Sequence, residues 1–217
     1  MSRSRAKELS LEHIARAQPL GWFEALYQEA EGDSSKVPWA DLKPNPRLVT
    51  HAAKHQLEGQ GRQALVVGCG LGDDAEFLAS LGFEVTAFDV SESAIAWAQK
   101  RFPSSRVSYR VSTLEQTAQA YPDGFAWVFE AYTVQSMPVS MRADAMRSLA
   151  SLVEEDGELC LIARTRDEES EPPGPPWPLS AMEIALLEQA LLVIEKDHYV
   201  EPGDPTPRVF ARFLRGE

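Results

Sequence analysis

Residues 64–75 read Ala64-Leu65-Val66-Val67-Gly68-Cys69-Gly70-Leu71-Gly72-Asp73-Asp74-Ala75. The short apolar run Leu65 to Val67 predicts a buried parallel strand. Glycines at 68, 70 and 72 follow at once, and Leu71, Ala75, Leu78 and Leu81 then recur at helical spacing. Strand, glycine turn and helix together make the layout of a nucleotide-binding βα unit. The glycines let backbone approach a ligand, and the helix N-terminus offers free N–H groups and a positive dipole end.

The spacing narrows the ligand. A dinucleotide fingerprint, G-x-G-x-x-G, would place its third glycine at position 73, where this chain has Asp73. The motif is G-x-G-x-G instead, with Asp73 and Asp74 in the first helical turn. Two carboxylates receive a pyrophosphate poorly and suit a ligand without phosphates, including a cationic one. A second strand, Glu84-Val85-Thr86-Ala87-Phe88-Asp89, ends in an acid 19 residues after Gly70. A carboxylate there accepts hydrogen bonds from two ribose hydroxyls. Ribose without phosphate beside a glycine loop points to S-adenosylmethionine. The plain alternative is a tight turn with no ligand and Asp89 as a helix cap.

On Val66 to Gly72, Phe88-Asp89-Val90-Ser91 and the later Trp127-Val128-Phe129-Glu130, the chain resembles the class I S-adenosylmethionine-dependent methyltransferases over roughly residues 45–217. The resemblance implies a cofactor site formed by Gly68, Cys69, Gly70, Gly72, Asp89 and Val90, with Ser112, Thr113 and Leu114 after the third strand and Glu130 after the fourth. The family usually carries Asp where Ser112 or Thr113 stands, contacting the adenine amino group. The segment Trp22-Phe23-Glu24-Ala25-Leu26-Tyr27, with Val37-Pro38-Trp39 and Pro44-Asn45-Pro46, is similar to the thiopurine, halide and thiol methyltransferase branch. In that branch this segment folds over the cofactor. Trp39 would then cap the methionine end, or else simply pack, as Trp22 is expected to.

The 217 residues, 44% hydrophobic and 25% charged, fit one α/β domain with a full core. A formal net charge of −12 argues against nucleic acid and anionic membrane partners. No apolar run reaches the ~20 residues that span a bilayer, and the basic start lacks an apolar stretch after it. Two cysteines, Cys69 and Cys160, give no disulfide framework and fit a reducing cytoplasm. His51 and His55, one turn apart, are too few for a metal site and read as an exposed helix face.

Along the chain, residues 1–30 read as helical and 31–44 as a polar loop. Asn45-Pro46 starts a helix running to about Gly59. Strands are expected at 63–67, 84–89, 106–111, 125–130 and 158–164, with helices at 71–81, 92–101, 114–120 and 139–154, the last stopped by Asp156-Gly157. Ser180 and Glu183 form a capping box for a helix through Ala190. Strands at 191–200 and 208–214 are joined through Pro202-Gly203-Asp204-Pro205. The alternation predicts an α/β fold: a doubly wound, mostly parallel seven-stranded sheet with an antiparallel C-terminal strand, the Rossmann-like methyltransferase fold. Residues 1–217 form a single domain in this reading, with 1–45 a helical N-terminal segment or lid and 46–217 the sheet core. The Pro-rich loop from Arg164 to Pro178, tipped by Trp177, reads as a second lid.

The expected activity is S-adenosylmethionine-dependent methyl transfer to a sulfur, oxygen or nitrogen of a small molecule, by a cytoplasmic monomer or homodimer. Weak candidates for a base are Glu130, Tyr132 and Asp167, and Arg164 reads either as part of a surface ion pair or as a holder of an anionic acceptor. The alternatives are a catalytically silent S-adenosylmethionine-binding protein and a nicotinamide-dependent oxidoreductase, the latter opposed by Asp73 and by the closing hairpin.

Overall fold

The structure, a computed structural model, describes residues 3–167 and 175–216. Its helices are α1 (Arg3–Ala15), α2 (Gly21–Ala30), α3 (Pro46–His55), α4 (Asp73–Ser80), α5 (Glu92–Arg101), α6 (Leu114–Ala120), α7 (Val139–Ser151) and α8 (Ala181–Ala185). The strands are β1 (Gln63–Val67), β2 (Glu84–Asp89), β3 (Ser108–Val111), β4 (Phe125–Ala131), β5 (Val153–Arg164), β6 (Leu192–Glu201) and β7 (Asp204–Leu214). They form a seven-stranded sheet in the order β3-β2-β1-β4-β5-β7-β6, six parallel and β7 antiparallel. The chain divides into two compact units, residues 1–113 and 114–217.

In the first unit β1 pairs parallel with β2, and β2 with β3. Leu65, Val66 and Val67 are buried, as a strand covered on both faces requires. Asn45 caps α3 by accepting from the Arg47 N–H at 3.0 Å, with Pro46 at the first helical position. α3 ends at His55, earlier than the expected Gly59, because Gln56 turns left-handed at φ 49°. The N-terminal helical stretch is two helices, α1 and α2. Trp22, Leu26 and Tyr27 of α2 are buried with Leu9 and Val37, so Trp22 is a packing residue. His51 is also buried, at 5% exposure, which corrects its reading as part of an exposed face. α3 turns that side of its apolar stripe inward, with Leu48 and Ala52.

In the second unit β4 pairs parallel with β5, and β7 runs antiparallel between β5 and β6. Several boundaries differ from the sequence reading, and β7 begins at Asp204, four residues before the expected 208. α7 stops at Ser151, and β5 begins at Val153, opposite Phe125. Gly157 therefore lies inside β5, beside a register shift, rather than stopping a helix. A Cβ there would stand 2.8 Å from the Phe125 carbonyl oxygen, so close strand approach explains the glycine. The Ser180–Glu183 capping box is present, but α8 lasts only to Ala185 before a 3-10 turn at Leu187–Gln189.

Trp177 is 3% exposed. Its N–H donates to the Gln135 carbonyl at 2.8 Å and its carbonyl accepts from Arg142 Nη2 at 2.9 Å. It is held in the fold, not displayed at a loop tip. Residues 168–174 of the expected second lid lie outside the described residues.

Candidate cofactor and acceptor sites

The glycine turn between β1 and α4 is built as its sequence requires. Gly68, Gly70 and Gly72 have φ of 59°, 51° and 92°. Two of these positions are also sterically closed. A Cβ on Gly72 would stand 2.4 Å from the Tyr109 hydroxyl, and one on Gly70 3.0 Å from the Tyr27 hydroxyl. Cys69 extends the β1–β2 pairing, donating its N–H to the Phe88 carbonyl at 2.8 Å.

Asp89 ends β2 with its carboxylate turned into this loop. Oδ2 accepts from the Gly70 N–H at 3.0 Å and Oδ1 from the Ser91 N–H at 2.9 Å. At 7% exposure the group is raised to about 6 by burial, opposed by backbone N–H donors at Ser91, Gly70 and Val90. Each oxygen retains acceptor capacity for a ligand hydroxyl. Ser91 caps α5 by accepting from the Ala94 N–H.

The N-terminal segment lies on this loop. Trp39 Nε1 donates to the Tyr27 hydroxyl at 2.8 Å, and the Trp39 ring meets Trp22, Phe23 and Tyr27 edge-on. Trp39 is nevertheless 41% exposed, an aromatic face open to a ligand. Burial, then the Asp89 charge, pushes the Tyr27 phenol far up; desolvation and Asp89 do the same to the half-buried Cys69 thiol. Both stay protonated, so Cys69 is no nucleophile. Glu24 ties α2 down: its carboxylate accepts from the Ser91 hydroxyl and from the Ser93 N–H and hydroxyl at 2.6–3.1 Å.

The two acids of the first helical turn have other duties than receiving a cation. Asp73 forms a paired bridge with Arg101 at 2.7 and 2.8 Å. Asp74 accepts from the Asn45 N–H at 2.6 Å and is pushed by desolvation to about 6. That corrects the expectation that they meet a ligand charge. Ser112 donates its hydroxyl to the Thr113 carbonyl at 3.1 Å, and both residues are half-buried after β3.

In the second unit Leu114 is buried at the start of α6. Glu130 is 0% exposed at the end of β4. Its Oε1 accepts from the Thr133 and Val134 N–H groups at 2.6 and 2.9 Å, while Oε2 is buried with no hydrogen-bond partner among the described residues. Burial lifts it to about 7 against those two donors. Tyr132 follows at φ 63° and Asp167 is exposed. Sequence reading missed Gln135, whose Oε1 accepts from the Arg164 N–H at 2.6 Å, and Arg208, buried at the start of β7.

Residues 30–208 match the family model described as thiopurine S-methyltransferase. The chain belongs to that family. It is an S-adenosylmethionine-dependent methyltransferase acting on small-molecule acceptors. Among similar curated proteins, a probable thiol methyltransferase 2 of Arabidopsis thaliana is 26% identical over 187 residues, covering 80% of this chain and 78% of the relative. Thiocyanate methyltransferase 1 of the same plant is 29% identical over 150 residues, 65% of this chain and 60% of the relative's length. A solved 1,6-didemethyltoxoflavin-N1-methyltransferase of Burkholderia thailandensis shares the fold, with TM-score 0.72 at 15% identity over 94% of this chain and 90% of that one. The residues present fit the cofactor: glycine positions that a Cβ would fill, beside a buried carboxylate with spare acceptor capacity.

Proposed function

We propose that this methyltransferase acts on a small thiol or comparable soft sulfur anion, with Asp89 and the Gly68–Gly72 turn holding the adenosine half of S-adenosylmethionine and Trp39 covering its methionine end. The bound cofactor supplies a sulfonium methyl group with a neutral leaving group. The observation that carries the sulfur reading is the condition of the candidate bases. Glu130 gives one oxygen to two backbone N–H groups, Asp167 is exposed, and Tyr132 faces the Arg208 guanidinium. A thiol, with an ordinary pKa near 8.5, ionises without such help. The names of the Arabidopsis relatives support the same class. Proximity and orientation then carry the catalysis.

One observation favours a second reading, an oxygen or nitrogen acceptor. Glu130, pushed up to about 7 by burial and with no partner for Oε2 among the described residues, has the proton affinity of a general base at neutral pH. Turnover with thiophenol, phenol and aniline separates the two. Thiophenol turnover that survives Glu130→Gln supports the sulfur reading. Phenol or aniline turnover abolished by Glu130→Gln supports the second. Adenosylhomocysteine binding with no turnover of any of the three would leave a silent binder.

The same reading treats residues 1–217 as one methyltransferase domain, residues 1–45 forming the helical lid and 46–217 the sheet core. It places the protein in the cytoplasm as a monomer or homodimer without nucleic-acid or membrane partners. Two free cysteines and the net charge of −12 support this, and no described helix is long and apolar enough to cross a membrane.

A further inference from the structure

In the first unit the glycine turn is held at successive peptides. The Cys69 N–H donates to the Phe88 carbonyl at 2.8 Å, and the Gly70 N–H to Asp89 at 3.0 Å. The Gly72 N–H donates to the Cys69 carbonyl at 2.9 Å. Arg101, the last residue of α5, adds a further hold: its Nη1 donates to the Leu71 carbonyl at 2.6 Å. The peptide between Leu71 and Gly72 is therefore fixed at both its carbonyl and its N–H.

Arg101 is itself fixed. The same Nη1 donates to Asp73 Oδ2 at 2.7 Å and Nη2 donates to Oδ1 at 2.8 Å, the two-pronged pairing of a planar guanidinium with a carboxylate. The two side chains are 20% and 17% exposed, so solvent screens them less than an open surface bridge. The guanidinium also lies 4.8 Å from the centre of the Phe102 ring. One turn further along α4, Glu76 Oε1 accepts from the Tyr109 hydroxyl at 2.7 Å and from the Ser105 hydroxyl. Residues 101–109 thus brace the turn and the start of α4 through Arg101, Ser105 and Tyr109.

A brace matters here because three glycines with positive φ lie within five residues. Glycine loses more conformational freedom on folding than any other residue, so such a turn leaves its binding shape easily unless it is pinned. A loop that holds the binding shape for only a fraction of the time binds its ligand more weakly by that fraction. Both oxygens of Asp73 are taken up by Arg101, which turns the pair to the service of the loop.

We propose that Arg101 is a positioning residue for the cofactor: clasped by Asp73, it holds the Leu71 carbonyl and keeps the glycine turn in the shape that receives the adenosine half of S-adenosylmethionine. This rests on the reading above that seats that half at the Gly68–Gly72 turn. A group in contact with the methyl-bearing sulfur distinguishes S-adenosylmethionine from adenosylhomocysteine, because only the first carries the sulfonium charge. A group that shapes the loop from outside the site affects both ligands by the same factor.

The test is calorimetry on the full chain with S-adenosylmethionine and adenosylhomocysteine as separate ligands, beside thermal melting without ligand. Arg101→Gln should weaken both by one common factor of about tenfold, as expected for loss of one charge-assisted hydrogen bond. Arg101→Lys reaches the Leu71 carbonyl or Asp73 as a point charge, and should restore part of that loss. Asp73→Asn leaves the Leu71 contact in place but halves the strength of the clasp, and should weaken both ligands about threefold. It is also the deciding variant if Arg101→Gln does not fold. Unchanged affinities in the folded variant, whatever its melting temperature, make the pair a plain strut between α4 and α5 and overturn the proposal. A loss in Asp73→Asn that falls on S-adenosylmethionine alone also overturns it, by setting that carboxylate against the sulfonium. A wild type that binds neither ligand overturns instead the seating of the cofactor at this turn.

Discussion

Asp89 and Gly70, 19 residues apart, are joined by a hydrogen bond of 3.0 Å from the glycine N–H to the carboxylate. The acid proposed to hold the ribose thus also fastens the glycine loop. Asp89→Ala should therefore have two effects. Loss of two ribose hydrogen bonds should weaken adenosylhomocysteine by about 2–4 kcal/mol, and stranding the Gly70 and Ser91 N–H groups should lower stability by about 1–3 kcal/mol. Calorimetry and denaturant unfolding measure the two separately. An unchanged dissociation constant in a folded variant would remove Asp89 from the site.

The raised carboxyls give the ligand-free protein a pH dependence. Asp74 and Asp89 sit at about 6 and Glu130 at about 7, above unfolded values near 4. A carboxyl with a raised folded pKa holds its proton more tightly when folded. Stability is then greatest below the unfolded value and falls as pH rises from about 4 to about 7. Glu24 and Asp204 are lowered and act in the opposite sense, but only as pH falls through the ordinary carboxylate range. The melting temperature should be higher at pH 5 than at pH 8. Cofactor affinity should move the other way, weakening below about pH 6 by up to about tenfold per unit as Asp89 takes up a proton. Parallel trends in both quantities would contradict the assignment.

Gly72→Ala meets both a left-handed backbone and the Tyr109 hydroxyl. The expected loss is about 1–3 kcal/mol of stability. Adding Tyr109→Phe removes the nearest clashing atom and should recover part of it, leaving the backbone strain. Full recovery in the double variant would show that the φ of 92° costs nothing.

Trp39→Ala should reduce turnover by about tenfold or more through loss of acceptor alignment, with a smaller change in cofactor affinity. Trp177→Ala should instead cost about 3–5 kcal/mol of stability, as truncation of a buried indole does. Unfolding curves and steady-state kinetics on the same preparations distinguish the two tryptophans. A Trp177 variant of normal stability and low turnover would return that residue to a lid.

The β1–α4–β2 unit was legible because its signals are local. An apolar run, three alternate glycines and a terminal acid each dictate backbone conformation within a few residues. The partners of the acids were not legible. Asp73 finds Arg101 28 residues on, and Asp74 finds the Asn45 backbone 29 residues back, so their charges looked free. Trp177 and His51 were misplaced for a related reason: a polar or Pro-rich setting says little about what tertiary packing covers. Gly157 had the composition of a helix stop, and only the pairing of Val153 with Phe125 shows that it serves a strand. Arg208 became conspicuous only once register put it across from Arg164.

The bonds from Glu24 to Ser91 and Ser93 span 67 and 69 residues. Contacts of such sequence separation form late, because the intervening chain must first be organised. During synthesis α2 emerges before the strand and helix it will grip. The N-terminal segment must then wait, its apolar face of Trp22 and Leu26 unmatched, until α5 offers its first turn. The N-terminal segment can therefore dock only after α5 has been made, and until then its apolar face is one more surface open to aggregation.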